Sequence, residues 1–313
     1  MRILIDIQGC QSDGSRFRGI GRYSRCLVKS LITNYPQHEY ILFANKCSKM
    51  IKTRFPSIMT AVVAAPLGKK KGHRHNLWNK ELSKYNFYDA VIIHSYAKVV
   101  KGQDQYGQMI SELNEKENKE DQFNLYKERA LQYLTVDYPK EVKEYSNLFK
   151  KPIWVTEWNL QMSKTTGNTF FQSLFVANFL LEVVSNYDLS NISLTTYHNL
   201  GGRDLSGSIF MNQDSDLEIH STYYPMIMIE EVFGDGFLII EKQIIDQVFI
   251  YKFINRKNND VIIYTLDWSE KTIKRTYSKG EKDNISNEII FYSSNLYDIA
   301  NKEGMFQLDT ITQ

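Results

Sequence analysis

Apolar and polar positions alternate with different rhythms in different parts of the chain. At the N-terminus RILIDIQG is an apolar, β-branched run that predicts a buried strand, after which Tyr23, Leu27 and Leu31 recur at helical spacing. EYILFAN, Glu39 to Asn45, reads as a second strand following Pro36. This order predicts a β-loop-α-β unit, the start of a doubly wound, Rossmann-like sheet. A third apolar run, MTAVVAAPL, ends at Leu67, and the basic stretch KKKGHRH, Lys69 to His75, then reads as a solvated linker between domains.

Beyond the linker LWNKELSKYNF predicts a helix and YDAVIIHSY, Tyr88 to Tyr96, a strand buried on both faces. The polar segment Lys101 to Lys150 reads mostly as helix. KPIWVTEWNL is a further buried strand, introduced by Pro152, and FFQSLFVANFLLEVVSNY is a strongly apolar helix that leads to the strand NISLTTYHNL. Strands separated by helices at this spacing predict a parallel α/β structure, with Phe87 to Ile93, Ile153 to Thr156 and Ser193 to Thr196 adjacent in one sheet. After Gly236 the pattern changes to short alternating strands. QVFIYKFINRKNNDVIIYTLDW carries a hairpin signal across Arg256 to Asp260, and ISNEIIFYSS adds another strand, so the C-terminal region predicts a small antiparallel β-domain.

Composition narrows the functional classes. Among 313 residues, 38 basic and 36 acidic side chains leave a net charge of +2, too small for a whole-protein field that recruits nucleic acid or an anionic membrane. Twenty Tyr, 17 Phe and 4 Trp suit sugar stacking and core packing alike. Cys10, Cys26 and Cys47 fit no zinc or redox spacing, so reduced thiols and neither metal nor cofactor are expected. The first apolar run meets Asp6 too early for a signal peptide or a membrane span, which predicts a cytoplasmic protein. Oligomeric state is open.

The sharpest chemical signal is Trp154-Val-Thr-Glu157-Trp158-Asn159 at the end of a buried strand. An unpaired carboxylate is costly in apolar surroundings. Glu157 is therefore either functional or paired with a neighbouring loop arginine. YDAVIIHSY likewise ends in His94 and Tyr96, and NISLTTYHNL in Tyr197, His198 and Asn199, so three strand ends carry polar or aromatic groups after apolar interiors. A histidine at such a place serves either structure or a site.

FYDAVIIHSY, KPIWVTEWNL and TTYHNL, with Trp78-Asn79 ahead of them, resemble in order and spacing the last strands of (β/α)8 glycoside hydrolases of the retaining clan that contains β-xylosidases and α-L-arabinofuranosidases. The resemblance implies that Glu157 is the nucleophile and that carbohydrate is the partner. It also implies that His94, Tyr96, Trp158, Asn159, Tyr197, His198 and Asn199 line the sugar pocket, and that a β-sandwich follows the barrel. Retaining hydrolysis uses a second carboxyl about 5 Å from the first. The clan's acid/base Glu follows an Asn on an earlier strand, and this sequence has no Asn-Glu pair before Tyr88. Lys69 to Glu231 is also much shorter than the about 250 residues of a complete barrel.

MRILIDIQG and SRFRGIGRYSRCLVKSLI resemble the start of a GT-B glycosyltransferase of the retaining family 4, which implies a phosphate- or sugar-binding loop at Gly19, Gly21 and Arg22. Read from the residues alone, that loop is either a structural turn or a binding loop. The donor domain of that family has no counterpart here. Glu112, Glu120 and Glu128 repeat its Glu-x7-Glu spacing, but SELNEKENKEDQFNLYKE is a charged helix in which such spacing arises by chance.

The expected fold class is α/β: residues 1–67 a Rossmann-like βαβ fragment, 68–232 a partial TIM barrel and 233–313 a β-sandwich. Four functional readings follow. The first is a glycosidase weakened by a missing acid, the second a non-catalytic carbohydrate-binding or polysaccharide-assembly protein, the third a glycosyltransferase fragment. In the fourth the chain is a fusion or truncation with an exposed barrel edge.

Overall fold

A computed structural model describes residues 2–5, 39–68, 72–100, 118–161, 165–186, 191–198, 200–202, 207–213, 216–234, 236–280, 285–299 and 306–312. The chain divides into two compact units, Met1–Ile92 and Ile93–Gln313. Gly19, Gly21, Arg22, Cys10, Cys26, Glu112 and Asn199 lie outside the described residues.

In the first unit, β1 (Arg2–Ile5) pairs in parallel with β2 (Glu39–Leu42), Arg2 opposite Glu39 and Ile5 opposite Leu42. The strand expected to reach Asn45 stops at Leu42, because Phe43–Arg54 is helical (α1). FANKCSKMIK lacks the β-branched run that favours a strand, and Lys52 and Arg54 in the last turn complement the helix dipole. Lys52 also pairs with Asp89 at 2.5 Å, and the Thr60 amide donates to the same carboxylate at 2.7 Å. These two partners hold the Asp89 carboxyl below its usual range.

The apolar run after α1 forms only a short strand, β3 (Ala61–Val63). The segment beyond it is fastened to α2 (Arg74–Leu82) by two side-chain amides. Asn79 bonds both the N–H and the C=O of Ala65, each at 2.8 Å, and Asn76 does the same for Gly68 at 2.8 and 2.9 Å. The expected linker is therefore partly structured: His73 caps α2, its ring nitrogen accepting from the His75 amide, and Arg74 begins the helix. β3 pairs in parallel with the start of β4 (Ala90–Ala97), Ala61 opposite Ala90 and Val63 opposite Ile92.

The remainder of β4 belongs to the second unit. There the strand order is β4, β5 (Ile153–Leu160), β6 (Ile192–Tyr197), in a parallel sheet. The three expected neighbours are thus in place, although β4 runs to Ala97 rather than ending at Ile93. The polar segment before β5 forms α3 (Lys119–Gln132), a π-helical turn over Tyr133–Asp137, and α4 (Tyr138–Phe149). Pro139 explains the turn: it has no N–H to donate to the carbonyl of Thr135, so the ladder is interrupted there. Glu120 and Glu128 are solvent-exposed on α3.

α5 (Phe170–Ser185) is capped by Thr169, whose hydroxyl accepts from the Gln172 amide. It is apolar nearly all round because it is covered from several directions, touching β5, α3, and the strands β10 to β13 defined next. Those strands are β10 (Phe237–Ile245), β11 (Val248–Asn255), β12 (Val261–Asp267) and β13 (Thr272–Ser278), followed by β14 (Ile285–Ser293) and β15 (Phe306–Thr312). All six form one antiparallel sheet in sequence order, where a β-sandwich is expected. The β11–β12 hairpin pairs Val248 with Asp267 and Ile254 with Val261, as its alternation requires. Between β6 and β10 lies an addition that the sequence pattern does not announce: β7 (Gly201–Gly202), β8 (Phe210–Gln213) and β9 (Asp216–Ile219) form a small sheet, and α6 (Tyr223–Ile229) follows.

Polar stitching joins α5 to the antiparallel sheet. Glu182, 3% exposed, accepts from Tyr251 at 2.6 Å and from Lys242 at 2.6 Å. Asn178 donates to Tyr251 at 2.7 Å and accepts from the Trp268 indole at 3.0 Å. Among the described residues no helix is long and apolar enough to cross a membrane, and no group of three or more His, Cys, Asp and Glu side chains could hold a metal ion.

Candidate functional site

Glu157 owes its direction to an irregularity in β5. The register with β6 runs from Val155 opposite Thr195 to Trp158 opposite Tyr197, so β5 carries one residue more than its partner in that interval. Strict alternation from the buried Ile153 and Val155 would bury Glu157 and turn Trp158 the other way. The extra residue exchanges them. Trp158 is 1% exposed and stacks on Phe179 of α5, with ring centroids 4.2 Å apart and planes 15° from parallel. The Glu157 side chain is 39% exposed.

Two neighbours from β4 meet its carboxylate. The Tyr96 hydroxyl donates to Oε2 at 2.9 Å, and Nδ1 of His94 lies 3.4 Å from the same oxygen. The His94 side chain is 40% exposed. Burial, and then the Glu157 hydrogen bond and charge, push the Tyr96 phenol well above its usual range. It therefore remains protonated and a donor throughout the physiological range. His198 stands beside it, its ring edge-on to Tyr96 at 6.0 Å, and its amide donates to the Trp158 carbonyl at 3.2 Å. Glu157, His94, Tyr96 and His198 thus gather at neighbouring strand ends. Among the described residues, the hydrogen-bonding and ionic partners of the Glu157 carboxylate are a phenol and an imidazole.

Trp158, Asn159 and Tyr197, expected to line a pocket, also take part in the framework of the strand ends. Asn159 is 2% exposed; its amide donates to the Tyr197 hydroxyl at 3.0 Å and to the His198 and Gly207 carbonyls at 2.6 and 3.2 Å. Its oxygen accepts from Gln172 at 3.1 Å and from the Leu160 amide at 2.7 Å. The Tyr197 hydroxyl bonds the Gly207 carbonyl, and burial raises its phenol far above the usual range. Gly207 is held at φ +90°, where a Cβ would sit 2.0 Å from Gln172 Nε2. The clasp of Asn159, Gln172, Tyr197 and Gly207 fixes the strand ends from which Glu157 and His198 project. Gln172 was legible only as a polar interruption in an apolar helix, and Gly207 only as a glycine in a loop.

Comparison with family models and with curated proteins gives no match. Solved structures do match. A family 51 α-L-arabinofuranosidase from Bifidobacterium longum superposes with a TM-score of 0.57 at 8% identity, over 85% of this chain and 57% of that one. The family 51 arabinofuranosidase from Xanthomonas axonopodis pv. citri gives 0.55 at 8% identity, over 86% and 58%. That from Thermotoga petrophila RKU-1 gives 0.53 at 13% identity, over 99% and 62%. The fold is glycoside-hydrolase-like, and the chain spans less than two thirds of the length of these enzymes.

Proposed function

We propose that the chain is a carbohydrate-active protein of glycoside hydrolase type, in which Glu157 is a retaining nucleophile. The observation that carries this reading is the Tyr96 hydrogen bond to Glu157 Oε2 at 2.9 Å, at the ends of adjacent parallel strands in a glycoside-hydrolase-like fold. Residues 68–232 read as the second half of a barrel and 233–313 as an appended β-domain. The first 67 residues read as a glycosyltransferase-like βαβ fragment with its loop at Gly19, Gly21 and Arg22.

Tyr96 holds one carboxylate oxygen in place, so the other oxygen is free to attack an anomeric carbon. The C–O bond to the leaving group breaks as the Glu157 ester forms, and water later cleaves that ester. His94 and His198 flank the position of the sugar. Among the described residues no carboxylic acid partners Glu157, and a general acid contributes about 10²–10⁴-fold. Activated aryl glycosides, whose phenolates leave unaided, are the substrates this arrangement suits.

A panel of slow fluorinated glycosides with activated leaving groups tests the assignment. Mass spectrometry is expected to find the glycosyl label on Glu157 and no label on Glu157→Gln; a label on another residue overturns it. A second reading, carbohydrate binding without turnover, is favoured by the character of the carboxylate's partners, a phenol and an imidazole rather than a carboxylic acid. Sugar binding by calorimetry without any label would establish that reading.

A further inference from the structure

The net charge of +2 conceals an uneven distribution. Between Glu39 and Glu81 the chain has no Asp or Glu, yet it carries nine Lys and Arg, four within residues 46–54 and five within 69–80. The rest of the chain is left with 29 basic against 36 acidic side chains. One stretch of the first unit is therefore strongly cationic within an otherwise acidic chain.

The first part of that stretch is also apolar where it meets solvent. α1 turns Ser48 and Lys52, about one helical turn apart, toward its own unit: the Ser48 hydroxyl lies 2.9 Å from that of Thr60, and Lys52 pairs with Asp89. The positions around and beyond them face outward. Met50, Ile51, Phe55, Ile58 and Met59 are each 41–64% exposed. Five large apolar side chains within residues 50–59 exceed the scattered single ones of an ordinary surface. The turn after the helix is held in shape by its backbone, the Phe55 amide donating to the Ile51 carbonyl at 2.7 Å and the Ile58 amide to the Phe55 carbonyl at 3.1 Å. Lys49 and Arg54 are exposed among these side chains, with the Arg54 guanidinium 5.7 Å from the centroid of the Phe55 ring. Among the described residues no carboxylate pairs with either cation.

Whatever covers Phe55 and its neighbours has to accommodate these cations. A second copy of the chain would set like charges against each other. Cover by an apolar protein surface would strip water from Lys49 and Arg54 and give them no counter-charge. A bilayer with anionic headgroups meets both requirements: the apolar side chains reach the headgroup boundary, while the Lys and Arg stems lie along it and keep their charged ends hydrated at the phosphates. An acidic protein would need a carboxylate fixed opposite each cation, whereas a fluid headgroup layer adjusts to them.

We propose that residues 49–59, the second half of α1 and the turn after it, are a docking surface for an anionic phospholipid bilayer, on which the chain lies without crossing it. The surface belongs to the first unit and does not depend on the role of Glu157. Its attraction is partly electrostatic, so it weakens as salt shortens the Debye length.

Co-sedimentation of the full chain with vesicles tests the proposal, using phosphatidylcholine alone and a mixture of phosphatidylcholine with phosphatidylglycerol. The wild type is expected to partition onto the mixed vesicles, to ignore the neutral ones and to be released by high salt. Each cation near such a surface is worth about fivefold in partitioning, so Lys49→Glu with Arg54→Glu is expected to lose at least about 25-fold. Phe55→Ser with Met59→Ser, which leaves the charge alone, is expected to lose about tenfold. Circular dichroism identifies a variant that fails to fold, and Phe55→Trp, which keeps a ring at the position, is expected to shift its emission to the blue on mixed vesicles only. Equal partitioning onto neutral and mixed vesicles, or equal partitioning of the wild type and both double variants, overturns the proposal. So does absence of vesicle binding, whether the wild type is then retained on heparin, which would point to a soluble polyanion, or self-associates through Phe55 and Met59.

Discussion

The Tyr96 hydroxyl donates to Oε2 of Glu157 across 2.9 Å, from a residue on the neighbouring strand. Removing that proton donor is expected to cost the site more than the fold. Tyr96→Phe keeps the ring against His198 and loses one charge-assisted bond, worth about 1.5–3 kcal/mol where the carboxylate must be held. Labelling of Glu157 is expected to fall by roughly 10- to 100-fold, while the urea midpoint moves little. A labelling rate unchanged in Tyr96→Phe would remove Tyr96 from the chemistry.

Glu141 is expected to shape the pH dependence of stability. Its folded value lies near 7, above the ordinary carboxylate value in the unfolded chain. The unfolded state therefore ionises first. The contribution of Glu141 to stability is complete at acid pH, is lost as pH rises toward 7, and stays lost above it. Glu141→Gln is expected to gain on the order of 2 kcal/mol at pH 8 relative to the wild type and nothing comparable at pH 4. Urea unfolding at the two pH values measures the difference; a gain equal at both sinks the prediction.

Gly207→Ala forces a side chain into a left-handed backbone at φ +90° and against Gln172. We expect a loss of about 1–3 kcal/mol, together with weaker sugar binding because the clasp on Asn159 and Tyr197 is disturbed. Thermal unfolding and calorimetry read the two effects. Wild-type stability in this variant would mean that the clasp yields without cost.

Lys242→Ala strips the cation from the nearly buried Glu182 while Tyr251 stays in place. An uncompensated buried carboxylate is expected to destabilise by about 2–4 kcal/mol, and Glu182→Gln in the same protein to recover part of that loss. A double-mutant cycle by denaturant unfolding gives the coupling. Additive effects would show the pair to be independent.

Strand positions and type were largely legible in the sequence, because VIIHSY, IWVTEW and ISLTTY are apolar runs bounded by turn residues. Glu157, His94 and Tyr96 could be singled out because they interrupt those runs. The burial of Trp158 and Asn159 could not, since it depends on the extra residue in β5, and a bulge leaves no mark on period-two alternation. The helix Phe43–Arg54 was missed because its first residues continue the apolar tone of β2. Ser95 and Tyr133 lie far apart in sequence, and only the packing of the π-helical turn against β4 brings their hydroxyls within 2.6 Å.

The placement of α5 has a practical meaning for anyone cutting the gene. Phe171 meets Trp268 with ring centroids 5.7 Å apart and Phe170 meets Phe291 at 5.1 Å, so one side of this helix is furnished by the last third of the chain. A truncation after Gly234 would uncover that flank, strand the Asn178 and Glu182 side chains without Trp268, Tyr251 and Lys242, and yield inclusion bodies in place of a smaller folded protein. The C-terminal sheet is in this sense an internal chaperone that remains bound, and it has to be inherited, expressed and unfolded together with the helix it covers.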